Sequence, residues 1–359
     1  MTVIKTEGIK YAGSKLKLLP HILEMTSELD NVETVLDGFS GSTRVSQAFA
    51  QCGYAVTSND ISKWSEVLAT CYLLANNSPA YYQEIIDYLN NLEGVDGWFT
   101  ENYGGGESEL KKPFQIKNTR KLDAIRAEID CLELVYEDKC VLLASLILAL
   151  DKVDNTLGHY AAYLSKWSAR SFKDLELKLP LRIDLKAENR VVRGDIFNTV
   201  QNYSFDLAYL DPPYGSNNEK MPPSRVRYTS YYHLWTTIIN NDQPELFGKA
   251  NRRVDTRDSL AGSVFEEFRK NKNGDFMAME ALRKLIQQTN ARYLMLSYSS
   301  GGRATKKQLL DIIAESGELL TIKKIDFKKN VMSNMRSTNE WISTEDAHQE
   351  YIFLMKKEK

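Results

Sequence analysis

The first part of the chain alternates short apolar runs with amphipathic stretches. A short strand is predicted at 33–36, a glycine-containing turn follows at 37–42, and helical spacing begins at 43–50. A second apolar run at 54–58 precedes another helical stretch at 64–74. This strand–helix–strand–helix order predicts an α/β fold with a parallel sheet.

The middle of the chain has a different pattern. Between residues 78 and 188 helical periodicity dominates and strand alternation is lost. A glycine-containing stretch at 94–112 interrupts the periodicity and predicts a loop. Because a strand pattern returns at 190–193, we interpret 78–188 as a mainly helical insertion. The catalytic domain would then consist of 1–77 and 189–359.

The last third of the chain predicts the rest of the sheet. Apolar runs at 205–210 and 292–298 have the length and composition of buried strands. Two further runs, 319–327 and 351–355, are separated by a polar segment. We expect these two to form an antiparallel pair at the end of the sheet.

The most informative polar residues follow the run at 205–210, where the sequence reads Asp211-Pro212-Pro213-Tyr214. Proline fixes φ and lacks an N–H, so the chain leaves the strand stiff and extended. Ligands bind at the carboxyl edge of open α/β sheets. There, a carboxylate and a carbonyl can accept hydrogen bonds from an amine, and a ring can stack on a base. A purely structural Asp-Pro turn is the alternative.

Three other strand ends carry carboxylates. Asp37 begins a glycine-containing turn, Asp60 ends the next strand, and Asp195 follows a third. Glycines allow close approach of backbone to a ligand, and a carboxylate about 20 residues later suits a ribose diol. The turn lacks the GxGxxG pattern, which disfavours a nicotinamide dehydrogenase.

Composition indicates the class of protein but not its function. The 359 residues are 43% apolar and 26% charged with a net charge of −2, as in ordinary soluble globular proteins. No apolar run is long enough to span a membrane, and the N-terminus lacks a signal-peptide core, so we expect a cytoplasmic protein. The cysteines show no CxxC spacing, which predicts reduced core residues and no metal site: Cys52, Cys71, Cys131 and Cys140.

Several stretches together resemble the alpha-class DNA adenine-N6 methyltransferases, in particular the Dam-like and FokI-type modification methylases. They are residues 10–15, 37–42, 155–167, 211–214, 227–235 and 294–301. The resemblance implies a Rossmann-like S-adenosylmethionine-dependent methyltransferase sheet, with target recognition in the helical insertion. It also implies methyl transfer to adenine N6 in double-stranded DNA by base flipping.

The resemblance assigns roles residue by residue. The implied catalytic residues are Asp211, Pro212, Pro213 and Tyr214. The implied S-adenosylmethionine-binding residues are Tyr11, Lys15, Asp37, Phe39, Ser40, Gly41, Asp60, Asp195 and Ile196. The DNA-contacting candidates are His159, Lys166, Arg170, Arg225, Arg227 and Tyr228. His159 has an equal alternative role in packing the insertion onto the core.

Double-stranded DNA is the implied partner, with a cognate restriction endonuclease as a possible second one. The setting would be the cytoplasm of a bacterial or phage-type system, and the oligomeric state is left open. Cytosine N4, RNA adenine and a protein glutamine amide are alternative targets, but Asp211 favours DNA adenine. A catalytically silent DNA-binding subunit is another alternative, which the retained strand-end carboxylates disfavour. The loop at 215–228 is longer than in the FokI-type branch.

Overall fold

The computed structural model describes residues 4–106, 108, 112–215, 228–257, 263–267, 269–326 and 349–358. Its helices are α1 (Leu19–Ser27), α2 (Arg44–Gln51), α3 (Lys63–Leu73), α4 (Pro79–Asn91), α5 (Trp98–Tyr103), α6 (Ile116–Cys131), α7 (Tyr136–Val153), α8 (Ile196–Asn202), α9 (Tyr228–Tyr231), α10 (His233–Asn240), α11 (Met277–Gln288) and α12 (Lys306–Ala314). Its strands are β1 (Thr34–Asp37), β2 (Ala55–Asp60), β3 (Gly104–Gly105), β4 (Phe114–Gln115), β5 (Arg190–Arg193), β6 (Phe205–Leu210), β7 (Leu246–Phe247), β8 (Arg252–Arg253), β9 (Ala291–Ser299), β10 (Gly317–Asp326) and β11 (Gln349–Lys357).

The chain divides into two compact units. The first unit comprises the described residues within Met1–Lys17, Ser40–Gly194 and Tyr228–Ala261. The second comprises those within Leu18–Phe39, Asp195–Arg227 and Gly262–Lys359. Residues 78–188, the predicted insertion, therefore lie in the same unit as segments that come before and after them in the chain. Their role as a separate target-recognition region stays a prediction.

The second unit contains five strands in the order β10-β11-β9-β6-β1. β6 runs parallel to both β1 and β9, whereas β11 is antiparallel to β9 and to β10. The predicted antiparallel pair near the C-terminus is thus confirmed. The parallel register places the carboxyl ends of β1 and β6 side by side, with Asp37 opposite Tyr209.

Burial explains why these strands are so apolar. Five of the six residues of β6 are buried, because helices or other chain segments cover both faces of a parallel sheet. Leu210 and Leu296 pack in one core with Leu282 of α11 and Ile312 of α12. Helix α12 begins with a capping box, in which Thr305 accepts a hydrogen bond from the Gln308 amide at 3.2 Å. These contacts fix the frame from which Asp211 extends.

The first unit holds the remaining parallel pair, β2 and β5, with Asp60 opposite Arg193. As predicted, residues 78–188 are mainly helical, and their described strands are only two residues long. The loop predicted at 94–112 is wrong in part, because α5 lies within it. Phe99 and Tyr103 of α5 are buried, so tertiary packing overrides the local glycines.

The cysteine prediction is half right. Cys71 and Cys140 are buried and free, but Cys52 and Cys131 are exposed near the ends of α2 and α6. A period-3.6 pattern does not say which positions face solvent at a helix end. Among the described helices, none is both long enough and apolar enough to cross a membrane.

Candidate active site

The Asp-Pro-Pro-Tyr motif lies immediately after β6 in the second unit. Pro212 is buried, while Asp211 and Tyr214 are half-buried, so the motif is anchored without being sealed from solvent. The Tyr214 carbonyl accepts hydrogen bonds from the Arg303 amide at 3.0 Å and from the Tyr298 hydroxyl at 3.3 Å. The rigid exit from β6 that the two prolines predict is therefore tied to the far end of β9.

The first carboxylate motif lies beside the Asp-Pro-Pro-Tyr motif in the same unit. Gly38, just after β1, donates its amide to the Tyr209 carbonyl at 2.9 Å. A Cβ on Gly38 would lie 2.7 Å from Leu210 Cδ2 and 3.1 Å from Ile196 Cδ1, so only glycine fits without movement. Asp37 itself is only 1% exposed. The sheet thus brings the end of β1 beside the start of the Asp-Pro-Pro-Tyr motif.

Three other predicted cofactor residues of this unit have local structural roles. Phe39 packs edge-on against Phe265 with ring centroids 5.3 Å apart. Asp195 is exposed and caps α8, accepting from the Phe197 amide at 3.0 Å. Ile196 is buried at the start of that helix. One Asp195 oxygen accepts this helix-capping hydrogen bond. The predicted contact of Asp195 to the cofactor adenine stays a prediction.

The hydroxyl of Tyr214 is held between two carboxylates. It forms hydrogen bonds with Asp211 Oδ1 and with Glu350 Oε1, a residue of β11. The Tyr214 ring also packs against Tyr298 at 4.9 Å between centroids. Burial, together with these two carboxylates, raises the pKa of Tyr214 well above its usual value, which keeps the hydroxyl protonated.

Sequence reasoning missed Glu350 because it lies 136 residues from Tyr214 in the chain. The sequence pattern also gave no indication of where Arg303 lies. Arg303 is 8% exposed and packs beside Gly215, whose φ is +61°. A Cβ on Gly215 would lie 2.1 Å from Arg303 Nη1. The glycine directly after the motif was the one available signal of such a contact.

In the first unit, the glycine turn and the second carboxylate are hydrogen-bonded to each other. The Gly41 amide donates to Asp60 Oδ2 at 2.9 Å, and the Ser62 amide donates to Asp60 Oδ1 at 2.8 Å. The Ser40 amide donates to the Asn59 carbonyl at 2.9 Å. Burial raises the pKa of Asp60, and these amide hydrogen bonds oppose that shift. The two predicted motifs thus form one local structure.

An aromatic cluster covers this turn. The Tyr11 ring lies 5.1 Å from Tyr232, 5.4 Å from Tyr228 and 5.5 Å from Trp64, centroid to centroid. A Cβ on Gly41, whose φ is +45°, would lie 2.9 Å from Tyr11 Cε1. In the same segment, Lys15 is 7% exposed and donates to the Gly13 carbonyl at 3.0 Å. Tyr11 and Gly41 are therefore in contact, and their roles in cofactor binding stay predictions.

The DNA-contacting candidates differ in whether their side chains are exposed or bound within the chain. Lys166 is exposed. The Arg170 guanidinium is bound within the chain to Asp154, with Nη2 2.9 Å from Oδ1, which gives it a structural role. The His159 ring stacks on Tyr231 at 4.4 Å, and burial lowers its pKa. Arg225 and Arg227 lie outside the described residues.

No group of three or more His, Cys, Asp or Glu side chains in the described part of the chain could hold a metal ion.

Residues 11–261 match the model of the D12 class N6 adenine-specific DNA methyltransferases. The chain belongs to this family. The match includes the glycine turn, the described parts of the aromatic cluster, and the Asp-Pro-Pro-Tyr motif. It ends before β9, β10 and β11, so Glu350 lies beyond the residues that the family model covers.

Named relatives of this D12 class chain are modification methylases. It is 32% identical to modification methylase StsI of Streptococcus sanguinis, over 92% of this chain and 50% of that protein. It is 28% identical to type II methyltransferase M.FokI of Planomicrobium okeanokoites, over 98% of this chain and 53% of that protein. It is 28% identical to type II methyltransferase M.NlaIII of Neisseria lactamica, over 86% of this chain and 89% of that protein. The chain thus spans about half the length of the first two relatives.

Proposed function

We propose that this D12 class chain transfers a methyl group from S-adenosylmethionine to adenine N6 in double-stranded DNA. The observation that carries the proposal is Asp211-Pro212-Pro213-Tyr214 at the carboxyl end of β6, beside Asp37 at the end of β1. The family match to adenine-specific enzymes supports adenine over cytosine N4, RNA adenine or a protein amide. It also disfavours a silent DNA-binding subunit.

The residues present fit S-adenosylmethionine. Asp60 accepts the backbone amides of Gly41 and Ser62, one on each oxygen, and a carboxylate with about four acceptor sites suits a ribose diol. Gly41 has no Cβ and a positive φ, which lets the turn pass directly beneath the Tyr11 ring. We assign Asp37, Phe39, Ser40 and Gly41 to the methionine part, Tyr11 and Lys15 to its carboxylate end, Asp60 to the ribose, and Asp195 with Ile196 to the adenine. The cofactor supplies an electrophilic methyl group on a sulfonium.

The chain's own residues prepare the target amine. An adenine inside a duplex is out of reach, so the base must leave the stack, at a cost of a few kcal/mol. Stacking on the Tyr214 ring returns about 1–3 kcal/mol. Asp211 and the Pro212 carbonyl accept the two N–H groups, which directs the nitrogen lone pair away from the ring. Positioning of this kind supplies most of the acceleration. Asp211 is also placed to take the proton that the nitrogen loses.

DNA contacts and the biological setting are part of the same proposal. Lys166 offers an exposed charge for phosphate, and His159 and Tyr228 lie in the same unit, whereas Arg170 supports the local fold. Arg225 and Arg227 remain candidates from sequence. We assign the chain to a restriction–modification system with a cognate endonuclease, acting in the cytoplasm of a bacterial or phage-infected cell, because its relatives are named as modification enzymes.

The test is methylation of unmodified plasmid DNA, followed by digestion to nucleosides and mass analysis. Wild-type protein should yield N6-methyladenine. Asp211→Ala should lower the rate at least about 100-fold while still binding S-adenosylmethionine, because only the amine acceptor is lost. Asp311→Ala, an exposed carboxylate of α12, is the matched control and should keep the wild-type rate.

Each other outcome has a defined meaning. N4-methylcytosine would overturn the target base. Loss of cofactor binding together with activity in Asp211→Ala would overturn the role of Asp211. No methylated nucleoside from a cofactor-binding wild type would count against DNA as the substrate of the isolated chain. Sequencing of the methylated plasmid then gives the recognition site, and protection from a cognate endonuclease tests the restriction–modification role.

A further inference from the structure

Two carboxylates lie at the C-terminal end of α7, in the first unit. Asp151 is in the last turn of the helix, and Asp154, whose side chain is only 1% exposed, is the first residue after it. The C-terminal end of a helix carries a partial negative charge, so carboxylates there destabilise the helix. Burying a charge is also costly unless it is paired and hydrogen-bonded. The stability of α7 therefore does not account for these two carboxylates.

The two carboxylates bind Lys10 and Arg170. The Lys10 ammonium is hydrogen-bonded to Asp154 Oδ1 and lies 3.7 Å from Asp151 Oδ1, and the Lys10 backbone amide donates to Asp151 Oδ2 at 3.0 Å. Arg170 Nη2 lies 2.9 Å from Asp154 Oδ1, and Arg170 Nε donates to the Asp154 carbonyl at 2.7 Å. The main chain and the side chain of Lys10 are thus both bound to the end of α7.

The residue after Lys10 is Tyr11, whose ring lies against the glycine turn. The Ala12 amide donates to the Tyr232 hydroxyl at 2.7 Å, so the backbone is held on both sides of Tyr11. A Cβ on Gly41 would lie 2.9 Å from Tyr11 Cε1, so the ring fits closely on that turn. Because the fit is close, a small displacement of Lys10 would move the ring relative to the turn backbone.

We propose that Asp151 and Asp154 are positioning residues for the cofactor: by holding Lys10 they set where Tyr11 lies against the glycine turn, and hence how tightly S-adenosylmethionine binds. This inference rests on the proposed function, in which Tyr11 helps to hold the carboxylate end of the cofactor, and adds two residues to it. Neither carboxylate touches the cofactor in this role. Asp154 carries the larger share, because it is the more buried of the two and is bound by both cations.

A double-mutant cycle in cofactor affinity tests the proposal. Asp154→Asn keeps the size of the side chain but removes its charge, and it should raise the Kd for S-adenosylmethionine at least about fivefold in calorimetric titration. In a Tyr11→Ala background there is no ring to place, so the same substitution should change the Kd less than about twofold. At saturating cofactor the single-turnover methylation rate of Asp154→Asn should stay within about threefold of wild type, because the loss is in binding.

Asp138→Asn is the matched control. Asp138 is another buried carboxylate of α7, but it lies in the first turn of the helix. Its oxygens accept from the Tyr82 hydroxyl at 2.7 Å and from the Asn77 side-chain amide at 2.8 Å. Asp138→Asn should lower stability in urea unfolding without changing the Kd. A loss of affinity equal to that of Asp154→Asn would overturn the proposal, because any weakening of α7 would then be sufficient.

Equal losses in the Tyr11 and Tyr11→Ala backgrounds, or an unchanged Kd in Asp154→Asn, would overturn the proposal as well. If Asp154→Asn fails to fold, Lys10→Met replaces it in the cycle, since it removes the contact and leaves Asp154 paired with Arg170. Failure of the proposed function is distinguishable, because then the wild type itself binds no S-adenosylmethionine or forms no N6-methyladenine. Urea unfolding of every variant separates lost stability from lost affinity.

Discussion

Replacing Gly41 by alanine tests whether the glycine turn is shaped by backbone conformation and by Tyr11 together. Gly41 has φ of +45°, and an added Cβ would lie 2.9 Å from Tyr11 Cε1. A left-handed backbone costs a non-glycine residue about 1–2 kcal/mol. Crowding in a packed site costs about 1–3 kcal/mol more. Alanine also restricts the unfolded chain, which returns about 0.4–1 kcal/mol.

We therefore expect Gly41→Ala to lower the free energy of unfolding by about 1–4.5 kcal/mol. The measurement is the urea unfolding midpoint by circular dichroism, at unchanged m value. Calorimetric titration with S-adenosylmethionine is the second measurement. Affinity should fall, because the Gly41 amide that donates to Asp60 must shift with the turn.

Two other glycines of the same unit separate the cost of the left-handed backbone from the cost of the Tyr11 contact. Gly248 has φ of +71° with nothing within 4 Å of its added Cβ, so Gly248→Ala should cost at most about 1.5 kcal/mol. Gly194 has open space and no positive φ, so Gly194→Ala should be neutral or stabilise by up to about 1 kcal/mol. If Gly41→Ala matches Gly194→Ala in stability, the reasoning is refuted. If it matches Gly248→Ala, the Tyr11 contact costs nothing.

Two further predictions concern stability. Thr305→Ala removes the cap of α12 and should cost about 1 kcal/mol in urea unfolding, whereas Thr305→Ser, which keeps the hydroxyl, should cost less than half of that. Burial lowers the pKa of His233 to about 3, below the value of about 6.5 in an unfolded chain. The folded state therefore binds fewer protons, and stability falls by up to about 1.4 kcal/mol per unit as pH drops from 6.5 towards 3. His233→Gln should flatten that slope, and an unchanged slope would contradict the assignment.

Local sequence was enough where chemistry and conformation depend on neighbouring residues. The order of strands and helices, the rigid exit at Asp211-Pro212-Pro213-Tyr214, and the glycine turn before α2 are all written in short segments. A strand's side-chain period and a proline's fixed φ act over a few residues, so no knowledge of distant contacts is needed. The predicted antiparallel C-terminal pair belongs to the same class.

Contacts between distant segments were decided only by the tertiary structure. Glu350 meets Tyr214 through the register of β11 against β9, and a shift of one residue would direct it to the other face. Arg303 follows β9 in a polar segment, yet it is buried beside Gly215. The sequence by itself determined which chemical groups the chain carries at its strand ends. Strand register and burial decided which of those groups touch, because both depend on residues far apart in the chain.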